Sequence, residues 1–199
     1  MHRIFKFIGL GFTGIQRGGI QKLLQRGEFA VVLVVAEDLV QLCNAREGGT
    51  GCMKQMVEAY NEVGGNLISV LEVPMAQVSS YGVIDPGAAN GALTEVRGLV
   101  EKPPVAEAPS NKIVSGRYIL QPEVMRVLEN QGKGAGGEIQ LTDAMAKMIG
   151  TQPFHAVTFD GARYDCGSKV GFVEATLAIA LARPDMGAQV RAIALDLLK

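Results

Sequence analysis

Leu99-Val100-Glu101-Lys102-Pro103 stands at the head of the stretch that runs from Gly98 to Leu120, and its reading decides the fold. An apolar strand delivers an adjacent acid and base, and a proline stops it. Neighbouring side chains of a strand point to opposite faces. Glu101 and Lys102 therefore serve one pocket only at a strand end, where the backbone turns. A carboxylate suits hydroxyl donors and an ammonium suits a phosphate; a solvated strand end is the plainer alternative. Two further stretches belong with it: Tyr81-Gly82-Val83 upstream, where a glycine lets a ligand approach the backbone, and Arg163-Tyr164-Asp165-Cys166-Gly167-Ser168-Lys169 downstream.

The bulk properties bound what surrounds these stretches. With 199 residues, 48% of them hydrophobic, the chain has material for one core or a little more. A net charge of −1 leaves no electrostatic footprint for nucleic acid. Three cysteines (Cys43, Cys52, Cys166) without a C-x-x-C pair argue against a disulfide framework or zinc site and for a reducing compartment. Only His2 and His155 are available for a Ser-His-Asp arrangement. No apolar run approaches the roughly 18 residues of a membrane span. Lys6 interrupts the apolar start, and no small-residue cleavage site follows. The expectation is a cytoplasmic protein with no nucleic-acid or membrane partner.

Taken in order, residues 4–8 read as a short strand, and Gly9-Leu10-Gly11-Phe12-Thr13-Gly14 fits G-x-G-x-x-G. With the buried strand Phe29 to Val35 and the acids Glu37-Asp38, this is the outline of a dinucleotide-binding unit. Gly18-Gly19 inside the intervening helix speaks against that outline. Glu37 and Asp38 fall at the carboxyl end of a strand, where paired acids suit Mg²⁺. Met53, Met56, Val57, Tyr60 and Val63 recur at helical spacing, and Gly64-Gly65 closes the helix. Asn66 to Val73 is a strand, Asp85-Pro86-Gly87 a turn and Thr94 to Glu101 a strand. Lys102 to Asn111 reads as an irregular loop, and Ile113 to Leu120 as a strand interrupted by Gly116. Pro122 opens a helix, and Gly132 to Gly137 is a loop. A helix follows with Thr142 or Asp143 as a capping residue, then an edge strand from Phe154 to Phe159. Ser168 caps a helix over 169–183, and Val190, Ile193, Ala194 and Leu197 give a last amphipathic helix. Alternating strands and helices imply a layered α/β domain.

Five motifs then occur in a fixed order: Tyr81-Gly82-Val83; Leu99-Val100-Glu101-Lys102-Pro103; Ala108-Pro109-Ser110-Asn111 with Gly116-Arg117-Tyr118-Ile119-Leu120; Gly136-Gly137-Glu138-Ile139-Gln140-Leu141-Thr142-Asp143; and the stretch from Arg163 to Lys169. Together they resemble the nucleotidyltransferases that make nucleotide sugars, the bacterial UTP–glucose-1-phosphate uridylyltransferase group in particular. The resemblance runs from about Phe29 to the C-terminus. It implies a Rossmann-like three-layer α/β/α nucleotide-diphospho-sugar transferase fold with a mixed sheet, N-terminally incomplete. Residues 1–28 would be a divergent segment, and 29–199 the α/β domain carrying the sugar-phosphate site. It implies UTP and glucose 1-phosphate as partners, Mg²⁺ as cofactor and a homo-oligomer. By resemblance, Lys102 is the catalytic residue that grips the sugar phosphate, and Gly82, Glu101, Val114 and Tyr118 line the sugar site. Asp165 and Asp38 hold the metal, with Glu37 as the alternative to Asp38. Asn111 and Glu138 shape the pocket, and Cys166 is a packed neighbour of the metal ligand.

The chain also departs from that pattern. Nothing in it resembles the G-x-G-T-R-x-x-P-x-T-K loop that cradles UTP phosphates in the family, so UTP binding is expected to be weak. Val34-Val35-Ala36-Glu37-Asp38 replaces the family's Leu-x-Asp-Asp turn, and Lys112 stands where an apolar residue is expected. The expectation is therefore a uridylyltransferase with impaired turnover. Its rivals are a non-catalytic relative that keeps the sugar half-site and an oligomer surface, a thymidylyl relative and, further off, a dinucleotide-binding protein.

Overall fold

The structure, a computed structural model, describes residues 31–34, 41–44, 50–132, 139–166 and 168–199. Among them the strands are β1 Val31–Val34, β2 Gln41–Asn44, β3 Asn66–Glu72, β4 Gly82–Asn90, β5 Leu93–Glu101, β6 Lys112–Leu120, β7 Phe154–Thr158 and β8 Ala162–Asp165. The helices are α1 Cys52–Val63, α2 Glu123–Glu129, α3 Leu141–Met148, α4 Lys169–Ala182 and α5 Gly187–Leu197, with 3₁₀ turns at Met75–Ser80 and Val105–Glu107. The expectations for residues 4–8, the Gly9–Gly14 loop, Glu37, Asp38 and the loop up to Glu138 lie outside the described residues. No helix among the described residues is long and apolar enough to cross a membrane.

The chain divides into two compact units, one holding β1 and residues 52–159, the other β2, residues 50–51 and residues 160–199. The first is a mixed six-stranded sheet in the order β1-β6-β3-β7-β5-β4. Among the described strands only β3 and β7 pair in parallel. Ile68, Val70, Val96, Leu99, Tyr118, Leu120 and Ala156 share a buried cluster with Val124 of α2 and Ala144, Met145 and Met148 of α3. Period-2 alternation turns Leu67 and Ile119, also fully buried, to the other face. Helix α1 packs on β3, β6 and β7 through its buried Met56 and Tyr60. Gly64 and Gly65, both at positive φ, end α1 as expected. In the second unit β2 and β8 pair antiparallel, with Gln41 opposite Asp165. Helix α4 begins as predicted, the Ser168 hydroxyl accepting the Gly171 N–H at 3.0 Å.

Three local expectations are corrected. Asp85-Pro86-Gly87 is not a turn but part of β4; the hairpin turns at Gly91-Ala92, with Asn90 opposite Leu93. The register shifts around Pro86, on an outer strand, where a residue without an N–H is tolerated. A side chain at Gly87 would have to displace the exposed Glu95 carboxylate and Arg97 guanidinium. Strand β7 is interior, flanked by β3 and β5, and His155 is its polar exception because it lies opposite Glu95. Helix α3 has Gln140 at its N-cap with no side-chain cap, and Thr142 is a buried first-turn residue. Lys112 is accommodated by Glu72 at 3.8 Å and the Thr94 hydroxyl at 3.4 Å.

Between Ile68 and Val70 the β3–β6 register slips: Ile68 pairs with Tyr118 and Val70 with Val114. Gly116, at φ 75°, absorbs the bulge. Ser69 reaches the Arg117 backbone at the bulge. Its hydroxyl donates to the Arg117 carbonyl at 3.0 Å and accepts the Arg117 N–H at 3.2 Å. Ser115 donates to the Ser69 carbonyl at 3.3 Å, and both serines are fully buried. Ser69→Ala is expected to destabilise the chain by about 1–3 kcal/mol, because it removes both hydrogen bonds of a buried hydroxyl to the Arg117 backbone. Urea unfolding measures this; a loss under about 0.5 kcal/mol, the scale of an indifferent surface change, would contradict it.

Candidate functional site

Strands β4 and β5 run antiparallel with Gly82 directly opposite Glu101. Next along β4, Val83 also pairs with Ile113 of β6, which brings Val114 to the same place. A Cβ built on Gly82 would lie 3.1 Å from Glu101 Oε2, 3.5 Å from Val114 Cγ2 and 3.6 Å from Thr142 Cγ2. Four segments thus meet over one bare stretch of backbone: β4, the end of β5, β6 and the first turn of α3. Gly82 is buried, and the Glu101 side chain is only 14% exposed.

Lys102 has φ 46°, the one positive φ among the described non-glycine residues. Its N–H donates to the Tyr81 carbonyl at 3.0 Å, extending the β4–β5 ladder by one step before the chain leaves it. The left-handed turn undoes the alternation. Lys102 Nζ comes to 3.7 Å from Glu101 Oε1, although adjacent strand residues would diverge. The two carboxylate oxygens are thereby divided, one toward Lys102 and the other toward Gly82. The Lys102 side chain remains 59% exposed, so the ammonium is open to a ligand.

The sequence-predicted residues are distributed as follows. Gly82, Glu101 and Val114 converge, with Lys102 beside them. Tyr118 is buried in the core cluster with Ile68 and Leu120. The Asn111 carbonyl accepts the Val73 N–H at 3.1 Å and so ties the loop before β6 to the end of β3. Asp165 belongs to the second unit, on β8. Cys166, also in that unit, is a free thiol lining a hollow with Phe172, Ala175 and Ile179. Glu37, Asp38 and Glu138 lie outside the described residues. Among the described residues no group of three His, Cys, Asp or Glu forms a metal nest. Thr142 is the member the sequence reading assigned elsewhere, to a cap; its place inside the Glu138-to-Asp143 motif was the available signal. Glu95 lies on the hairpin. The Ala88 N–H, then the Arg97 guanidinium, hold it below the usual range.

The match to known proteins agrees with this geometry. A family model described as nucleotidyl transferase matches residues 20–181. The chain belongs to the nucleotidyl transferase family. Among its relatives, the UTP–glucose-1-phosphate uridylyltransferase of Komagataeibacter xylinus is 49% identical over 142 residues, 71% of this chain and 47% of that protein. The Staphylococcus epidermidis enzyme of the same name is 46% identical over 164 residues, 82% and 54% respectively. A UDP-glucose pyrophosphorylase solved with UDP-glucose superposes with a TM-score of 0.71 at 34% identity, covering 81% of this chain and 60% of that one. A UTP-bound enzyme from Acinetobacter baumannii gives 0.70 at 36%, covering 85% and 56%. This nucleotidyl transferase chain thus spans about half the length of the curated relatives it matches.

The contact between Gly82 and the Glu101 carboxylate can be tested without any ligand. Gly82→Ala is expected to lower stability by about 1 kcal/mol and Gly82→Val by about 1–3 kcal/mol, since added atoms must displace packed neighbours. Equal and negligible losses in urea unfolding would mean the carboxylate does not rest there.

Proposed function

We propose that this chain carries the hexose-phosphate site of a UTP–glucose-1-phosphate uridylyltransferase of the cytoplasm. The observation that carries the reading is the convergence of Gly82, Glu101 and Val114 beside a lysine turned out of its strand. Glucose 1-phosphate approaches the Gly82 backbone where Glu101 and Val114 converge on it. Glu101, an acceptor only, takes hydrogen bonds from ring hydroxyls. Val114 supports the apolar edge of the ring, and Tyr118 is assigned to the lining of the same site. Lys102 Nζ holds the sugar phosphate and offsets its charge.

An oxygen of that phosphate then attacks the α-phosphorus of UTP. The new P–O bond forms as the bond to the β-phosphate oxygen breaks, and its electron pair leaves with pyrophosphate. The protein supplies alignment and charge neutralisation and forms no covalent bond itself. Asp165 with Asp38, or with Glu37 in its place, is the donor set we assign to Mg²⁺. All three are carboxylates, the ligand chemistry a hard cation takes. When bound, the ion supplies charge neutralisation on the nucleotide phosphates. The names of the relatives support uridylyl transfer over thymidylyl transfer.

Lys102→Met should weaken glucose 1-phosphate binding about 10- to 100-fold, the scale of one lost charge-assisted hydrogen bond. Binding of free glucose should be unchanged. Calorimetry on the full chain reads both, and equal affinity of the variant for glucose 1-phosphate would remove Lys102 from the site. Asp165→Asn should abolish UTP-dependent pyrophosphate release while leaving glucose 1-phosphate affinity within about twofold, below the effect of a single lost hydrogen bond. Undiminished turnover would take Asp165 out of the metal set. A chain that binds the sugar phosphate tightly but releases no pyrophosphate would favour the rival reading, a binding half-site without turnover.

A further inference from the structure

Gln131 lies between α2 and α3 in the chain and is bonded to both helices. Its N–H donates to the Leu128 carbonyl at 3.4 Å, in the last turn of α2. Its side-chain amide is bonded at both ends to α3: Nε2 donates to the Gln140 carbonyl at 2.8 Å, and Oε1 accepts from Lys147 Nζ at 3.0 Å. The residue is 8% exposed, so a long polar side chain gives up its rotamer freedom to make these bonds. Gln140 is the N-cap residue of α3, and Lys147 lies in the last turn. The amide thus grips the helix near both of its ends. The Gln140 carbonyl also accepts the Ala144 N–H at 3.3 Å, the first backbone bond of the helix. The turn that starts there closes on Gly82, bringing Thr142 Cγ2 to 3.6 Å from where a Cβ on that glycine would sit.

We propose that Gln131 is a positioning residue of the hexose site. Through the Gln140 carbonyl it sets the height of the first turn of α3 over Gly82, and with it the room a hexose 1-phosphate finds there. The inference rests on the hexose 1-phosphate reading given above and adds to it a residue that touches no ligand. A binding constellation works only when supporting hydrogen bonds hold it to within about 0.5 Å. A turn already packed at van der Waals distance from Gly82 has little slack: displaced inward it crowds the ligand, displaced outward it opens the space. Lys102 is held by the Tyr81 carbonyl in the turn after β5, so phosphate holding does not depend on this bond.

The test is calorimetry on the full chain with glucose 1-phosphate and, separately, inorganic phosphate. Gln131→Glu keeps the side-chain length and an oxygen for Lys147, but a carboxylate cannot donate to the Gln140 carbonyl. It should bind glucose 1-phosphate about 5- to 10-fold more weakly, the scale of one neutral hydrogen bond, with inorganic phosphate within about twofold. Lys147→Met removes the other bond and spares the one to Gln140, so both ligands should stay within about twofold of wild type. Wild-type affinity in Gln131→Glu, or an equal loss in Lys147→Met, overturns the proposal alone. A wild-type chain that binds inorganic phosphate but gains nothing from the hexose overturns the site reading and this proposal together. A measurement on the wild type covers the case in which the glutamate variant fails to fold. Coupling is reciprocal, so a ligand that the clamp favours must strengthen the clamp. With glutamine side-chain amides isotopically labelled, saturating glucose 1-phosphate should slow solvent exchange of the Gln131 amide protons about 5- to 10-fold, and inorganic phosphate should leave it within about twofold. Unchanged exchange under glucose 1-phosphate overturns the proposal.

Discussion

Adjacent side chains of an extended strand face opposite ways, and the candidate site exists only because the chain stops obeying that rule at Lys102. A non-glycine residue in the left-handed region is unfavourable by about 1–2 kcal/mol. Here the following residue is Pro103, which itself pushes its predecessor toward extended conformations. Two preferences are therefore overridden at one position. The Lys102 N–H to the Tyr81 carbonyl at 3.0 Å and the Gly82–Glu101 pairing beneath it hold the turn in place. Strain retained at a strand end that collects an acid, a base and an unprotected backbone is the kind that accompanies a binding site.

The sheet supplies the rest by topology. Glu101 and Gly82 face one another because β4 and β5 form a hairpin. Val114 arrives because β4 turns from β5 to touch β6 as well. That touch depends on where β6 lies along β3, which the bulge at Ser115–Arg117 sets. Ser69 makes the bulge tolerable by bonding both backbone groups of Arg117. A hydroxyl on β3 thus controls the position of a valine on β6 that shares no contact with it in sequence. The floor of the site is sheet and its roof is the first turn of α3, so neither forms without the core between them.

This explains which features were legible in the sequence. Helix α1, its glycine stop and the Ser168 cap are set by neighbours within a few residues, and they stand as expected. The Glu101–Lys102 pair was legible because the proline after it marked the strand end. Asp85-Pro86-Gly87 misled because its turn chemistry is real, yet pairing with β5 carries the strand through it as a bulge. His155 made β7 look like an edge, since a polar residue at an alternate position usually faces water; its neighbour is instead Glu95 across the ladder. Thr142 was hidden for a related reason. A threonine at a helix start reads locally as a cap, and only the sheet on the far side reveals what its methyl meets.

Burial also decides which lysine is available to a phosphate. Lys112 is 21% exposed and held between Glu72 and the Thr94 hydroxyl. Drawing it out would take a hydrogen bond from the buried Thr94 hydroxyl, at about 1–3 kcal/mol. Arg97 is occupied by the Glu95 carboxylate that also caps the Ala88 N–H. Lys102 is paired only with its own neighbour, at 3.7 Å and 59% exposed, a contact worth about 1 kcal/mol or less. A phosphate dianion, in the proposed reading, outcompetes that contact, and on leaving Glu101 the ammonium frees a carboxylate oxygen for a ring hydroxyl. In the proposed reading the ligand's two ends therefore assist one another: the phosphate recruits the lysine, and the sugar takes over the oxygen the lysine vacates.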